Sequence, residues 1–138
     1  MEKIIRVGVD TSKNVFELRG VNAAEQLVLR KRLRRSQVVA WFAGEPAMLV
    51  GLEACAGSHH LARTLNRLGH EVVLVPPQHV KPYVARGKND GADAEAICEA
   101  ISRPKVQKRF VPVKTPDQQA AQMLLHTREQ FIRRRTQL

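Results

Sequence analysis

Long apolar runs are missing from this chain. No stretch approaches the roughly 18 unbroken apolar residues of a membrane-spanning helix, and Met1 to Asp10 enters a strand-like run without the apolar block of a signal peptide. A cytoplasmic protein is the expectation. Cysteine is scarce: Cys55 and Cys98 stand alone with no CxxC spacing, so neither a disulfide framework nor a structural zinc site is supported, and core packing is their plain reading. Aromatic residues make up only 4%, which argues against base-stacking platforms. Internal repeats and low-complexity segments are also absent.

Acid is the charge in short supply. Against 23 Lys and Arg stand 13 Asp and Glu, a net charge of +10, and only four of the acids are Asp: Asp10, Asp90, Asp93 and Asp117. The basic residues gather at Arg30 to Arg35, Arg103 to Arg109 and Arg133 to Arg135. Any one cluster could be a solvated surface, but three together favour a partner rich in phosphate, with salt-dependent binding through released counterions. Nucleic acid is the expected partner.

The 138 residues are enough for one core. Ile4 to Asp10 alternates as a first strand with Asp10 at its C-terminal end. Val15 to Arg19 and Glu25 to Arg30 continue it as an antiparallel meander. Ser36 is a predicted N-cap for a short helix through Trp41 and Phe42, stopped at Gly44-Glu45-Pro46. Met48 to Leu52 and Glu71 to Val75 are nearly all apolar, as parallel strands covered on both faces are. Between them Leu61, Leu65 and Leu68 repeat at helical spacing, and Gly69 ends that helix. Pro76-Pro77 closes the last strand, a loop runs from Lys81 to Lys88, and Asp93 to Ile101 is strongly helical until Arg103-Pro104. Thr115-Pro116-Asp117-Gln118 has N-cap and capping-box spacing for a final helix that reaches Leu138 without a stop signal. The expectation is α/β, a mixed five-stranded sheet with helices on its faces. Residues 1–114 form the domain, and 115–138 begin a long connecting helix cut before its end.

Asp10 and Glu53 each end a strand, so neighbouring placement would bring both carboxylates to one sheet edge, where open α/β sheets hold ligands. Asp90 and Asp93 lie three apart at a helix start, on one face of its first turn. Clustered carboxylates repel, and a divalent cation between them removes the cost. Hard oxygen ligands suit Mg²⁺ or Mn²⁺, and two such ions about 3.5–4 Å apart clamp the two oxygens of a phosphoryl displacement. Each acid also has a plain reading: Asp10 as acceptor in the hairpin turn, Glu53 as a loop carboxylate, Asp90 and Asp93 as helix cap and dipole partner. A glycine-rich phosphate loop is missing, which argues against a sugar-kinase-like fold despite the opening strand and Asp hairpin.

Four segments, Val7 to Lys13 (VGVDTSK), Leu52 to Gly57 (LEACAG), Val75 to Lys81 (VPPQHVK) and Lys88 to Ala94 (KNDGADA), closely resemble the N-terminal domain of bacterial insertion-sequence transposases of the DEDD type. That family includes pilin-gene invertases and bridge-RNA-guided recombinases, and its domain is similar to the junction resolvase RuvC, with an RNase H-like fold. The resemblance covers essentially the whole chain in order. It implies that Asp10, Glu53, Asp90 and Asp93 are the D-E-D-D set that binds Mg²⁺ for DNA strand cleavage and transfer. It also implies a homo-oligomer in the full-length protein and leaves a guide RNA open as a second partner. Asn89 departs from the family, which more often shows Thr or another polar residue there. Family members continue into a C-terminal domain bearing a serine, and none of Ser12, Ser36, Ser58 or Ser102 matches its context. An incomplete transposase is therefore expected, with two rivals: a stand-alone resolvase-like nuclease, and a DNA- or RNA-binding module without catalysis.

Lys13, Lys81, Arg86 and Lys88 flank the acids and are candidate phosphate contacts, as are Arg30, Lys31, Arg32, Arg34 and Arg35; a solvated side chain is the alternative for each. His79 and Tyr83 share the loop before Lys88, and Arg103 to Arg109 is a further candidate for DNA or guide RNA. His59-His60 could suggest metal ligands, but adjacent histidines at a helix start point in different directions. In the last helix Met123, Leu124, Phe131 and Ile132 could pack or pair with another helix.

Overall fold

A computed structural model describes residues 3–12, 14–85 and 91–136. Lys13, Arg86, Lys88 and Asp90 lie outside the described residues.

The meander is β1 (Arg6–Asp10), β2 (Val15–Val21) and β3 (Leu27–Arg34). Two parallel strands follow, β4 (Leu49–Glu53) and β5 (Glu71–Val75), and the sheet order is β3-β2-β1-β4-β5. The expected mixed five-stranded sheet is what forms. Both β2 and β3 run further than their local patterns indicate, because the antiparallel ladder carries on from Val15↔Arg34 to Val21↔Leu27. Glu25 belongs to the turn rather than to β3: its φ is 61°, and the Asn22 side-chain oxygen accepts the Ala24 and Gln26 amides at 3.0 and 2.9 Å.

Extension of β3 also moves the first helix. α1 is Arg35–Ala43, so Arg34, not Ser36, stands at its N-cap, and its amide donates to the Gln37 side chain at 3.0 Å. α2 (Ala56–Arg67) fills the crossover from β4 to β5 and ends before Gly69, whose φ of 98° suits glycine alone. The expected 81–88 loop is partly helical: α3 (Pro77–Val80) continues into a 3-10 turn (Lys81–Tyr83). Pro77 stands where a helix tolerates proline, at the first turn. α4 (Ala92–Ala100) is the expected acidic helix. Pro104 does not simply break the chain but opens a short α5 (Pro104–Gln107). α6 (Pro116–Thr136) starts with the expected reciprocal cap, Gln118 N–H to Thr115 Oγ1 at 3.2 Å and Thr115 N–H to Gln118 Oε1 at 2.9 Å.

The sheet has a helix layer on each side. Val7, Val9, Leu18, Val50, Leu52 and Leu74 are buried under α1 and α2 together with Phe42 and Leu65. The opposite face carries Gly8, Gly51 and Val75 and is covered by α4 through Ala96, Ile97 and Ile101. Gly8 is the closest approach. A Cβ there would strike the Ala94 carbonyl oxygen and lie 2.6 Å from the Cys98 nitrogen, so the helix backbone rests directly on β1.

Candidate metal and nucleic-acid site

β1 and β4 pair in parallel with Val9 beside Leu52. One step on, Asp10 and Glu53 end their strands side by side, and strand alternation puts both on the face that α4 covers. Asp93 lies in the first turn of α4 and is exposed. Close packing of α4 on Gly8 carries that turn to the same end of β1. Three of the four expected acids thus meet at one edge, and Asp90 lies outside the described residues.

Electrostatics link the three. Burial raises the pKa of Glu53, and the negative charges of Asp10 and then Asp93 raise it further, while Lys81 opposes the shift. Asp10 also has its hairpin role, accepting the Ser12 amide at 3.0 Å. Among the described residues, no three His, Cys, Asp or Glu side chains are gathered tightly enough to hold a metal ion. The described donors, Asp10, Glu53 and Asp93, share an edge without closing into a coordination sphere. Their chemistry nevertheless fits a hard divalent cation, because burial and then the Asp10 and Asp93 charges raise Glu53, and a cation would relieve that repulsion.

A further carboxylate on this face gave no motif. Glu17 pairs with Asp10 across β1 and β2 and is buried. It is already neutralised, by Arg19 at 3.1 Å and Arg32 at 2.6 Å, and it is not among the charges that shift Glu53. The Arg19 guanidinium packs against Gly91, immediately before α4, and reaches Glu95 at 3.9 Å. This pair joins the second strand to the start of the acidic helix. Period-two alternation in Val15 to Arg19 was its only signal in the sequence.

The basic candidates separate. Lys81 is exposed on the 3-10 turn and acts on Glu53. Arg30, Arg32 and Arg34 project from one face of β3, while Lys31 on the other face lies over the Trp41 ring at 5.9 Å. Cations along this outer strand also discourage edge-to-edge pairing. Arg35 instead lines a cleft of about 790 Å³ with Thr11, Ser12, Cys55 and His60, beside the acidic edge. His59 is buried, accepts the Lys114 amide at 3.0 Å, and has a lowered pKa from burial and then from Lys114 and Arg63. The two histidines do diverge, His60 being exposed. His70, which carried no signal, is buried with its ring nitrogens 2.7 Å from the Phe42 carbonyl oxygen and 3.3 Å from the Met48 amide.

Sheet order, the helix over β1 and the acids at the strand ends define an RNase H-like α/β domain. Its fold is similar to that of T. thermophilus RuvC in complex with Holliday junction substrate, with a TM-score of 0.53 at 14% identity over 80% of this chain and 99% of that one. The chain belongs to the DEDD transposase family of IS110, whose family model matches residues 7–138. It is 62% identical over its full length to the "Putative transposase y4pF/y4sB" of Sinorhizobium fredii, covering 35% of that protein. It is 42% identical over its full length to the transposase for insertion sequence element IS1111A of Coxiella burnetii, covering 37% of that protein. The chain therefore spans little more than a third of the length of these relatives. Among the described residues, no helix is long and apolar enough to cross a membrane.

Proposed function

We propose that this domain is the metal-holding part of a DNA transposase, which cleaves and transfers phosphodiester strands and needs chain beyond this domain for the full reaction. The observation that carries the reading is the side-by-side ending of Asp10 and Glu53 on parallel neighbours, with Asp93 acting on Glu53 from α4. Asp10, Glu53, Asp90 and Asp93 would hold Mg²⁺ or Mn²⁺. When bound, such ions supply charge neutralisation at the attacking and leaving oxygens of a phosphoryl displacement. Around them this chain's residues bind and orient. Lys81 offers a cation beside Glu53, and Lys13, Arg86, Lys88 and the exposed positions among Arg30, Lys31, Arg32, Arg34 and Arg35 contact nucleic-acid backbone. The exposed apolar side of α6 suits helix pairing in a homo-oligomer, and a guide RNA is a second partner that the excess basic charge would accept.

The test is Mn²⁺ titration of this chain by calorimetry, with Asp10→Ala and Asp93→Ala as comparisons. Each variant should lose affinity about tenfold or more, the range seen when groups that shape a metal site are removed. Unchanged binding in both sinks the acid site. A stand-alone junction nuclease is the second reading, favoured by the match over 99% of the resolvase chain. Metal-dependent cutting of branched DNA by this chain alone would establish it in place of the first.

A further inference from the structure

On the β5 side of the acidic edge, a second cleft of about 530 Å³ opens between α3 with its 3-10 turn and α5. His79, Lys105, Lys108 and Arg109 line it together with Pro82, Tyr83 and Val106, and no lining residue is acidic. None of its Lys or Arg side chains forms a salt bridge among the described residues. Two contacts fix its position. The Ala54 amide donates to the Val75 carbonyl at 2.8 Å, so α3 leaves the sheet beside Glu53, and the Val111 amide donates to Leu74 at 2.8 Å, which returns the chain after α5 to β5. Lys81 lies in the chain between the cleft-lining His79 and Pro82 and acts on Glu53 electrostatically.

We propose that this cleft is a DNA-backbone track that leads a strand to or from the acidic edge. The inference rests on the transposase reading above. Charge complementarity carries it: Lys105, Lys108 and Arg109 are three exposed cations in a cleft with no acidic lining residue, and a run of phosphates is the partner that such a surface neutralises. Base stacking is the wrong use for the cleft, because Arg103 already lies over the Tyr83 ring at 5.7 Å. The small cleft on the other flank of α4 offers no such path, since the one Lys or Arg that lines it, Arg6, already bridges Glu25, and Glu95 and Glu99 line it as well. A strand drawn along the sheet edge is therefore attracted toward α5.

The experiment measures binding of this chain to a labelled branched DNA between 50 and 200 mM salt. The variants are Lys105→Glu/Lys108→Glu/Arg109→Glu and the milder Lys105→Gln/Lys108→Gln/Arg109→Gln, which keeps the test open if charge reversal impairs folding. Affinity should fall about tenfold or more, and the slope of log affinity against log salt should lessen by about 2 to 3, at roughly 0.9 per lost phosphate contact. Mn²⁺ binding should be retained. Unchanged affinity and slope in the folded variants overturns the track while the acid site stands. Absence of salt-dependent DNA binding by the unaltered chain overturns both. Loss of RNA binding with DNA binding intact overturns the assignment to DNA.

Discussion

Glu53 shows how a single side chain can be costly to the fold and necessary to the site. Its carboxyl keeps its proton to higher pH than an ordinary glutamate because burial and then the charges of Asp10 and Asp93 disfavour ionisation. With a folded-state pKa above the unfolded one, the group favours the fold while protonated, and that contribution is lost as pH rises through the folded value. Metal binding has the opposite sign, because cations need the carboxylate. Glu53→Gln should therefore melt no lower than the natural chain in EDTA near pH 7, while Mn²⁺ affinity drops about tenfold or more. In the natural chain Mn²⁺ affinity should weaken with acidification from above the ordinary carboxylate range, and this onset should move lower in Glu53→Gln. Calorimetry and thermal melts across pH 5 to 8 check both; a lower metal-free melting temperature for the variant would contradict the account.

At the scale of elements, the site depends on how closely α4 lies on β1. Gly8 permits that contact, and the Arg19 guanidinium against Gly91 meets the helix just before its first turn. Gly8→Ala should cost at least about 1–3 kcal/mol, the usual range for overpacking, because the new methyl meets helix backbone and not a movable side chain. Moving α4 outward also moves Asp93, so Mn²⁺ affinity should fall with stability. Denaturant unfolding and metal titration of the same variant test the coupling: lost stability with unchanged affinity would separate the helix contact from the site. In the sequence Gly8 reads simply as a strand glycine. Its purpose appears only when α4, more than 80 residues later, is laid across it.

For the molecule as a whole, the sheet and its two helix layers are the stable body, and α6 stands largely apart. Its side chains beyond Gln119 are exposed through Arg135, with Met123 and Leu124 at 71% and 73%. The contacts that tie its start to the body come from Arg63, which bonds the Lys114 carbonyl and Gln119, and from Gln119 to the Ala56 carbonyl at 2.9 Å. Removing residues 121–138 should change the unfolding free energy of the domain by less than about 1 kcal/mol, as expected for a segment with few buried contacts. Equilibrium unfolding of the shortened chain measures it, and a loss of several kcal/mol would place α6 in the cooperative core.

By itself the sequence determined what depends on neighbours along the chain. Alternation marked the strands of the meander and short apolar runs the two parallel strands, Gly69 ended α2, and Thr115 with Gln118 capped α6, because backbone conformation and local hydrogen bonds settle these within a few residues. Asp10, Glu53 and Asp93 were legible as candidates for the same reason, each standing at an element's end. Tertiary structure decided how they combine. Parallel register sets Asp10 beside Glu53, and helix-on-strand contact brings Asp93 within electrostatic reach. Burial also divided the basic residues: Arg32 and Arg19 neutralise Glu17, while Lys81, Lys105, Lys108 and Arg109 remain without salt-bridge partners among the described residues. Sequence spacing cannot make that division, since an arginine's role depends on which carboxylate the fold brings within about 4 Å of it.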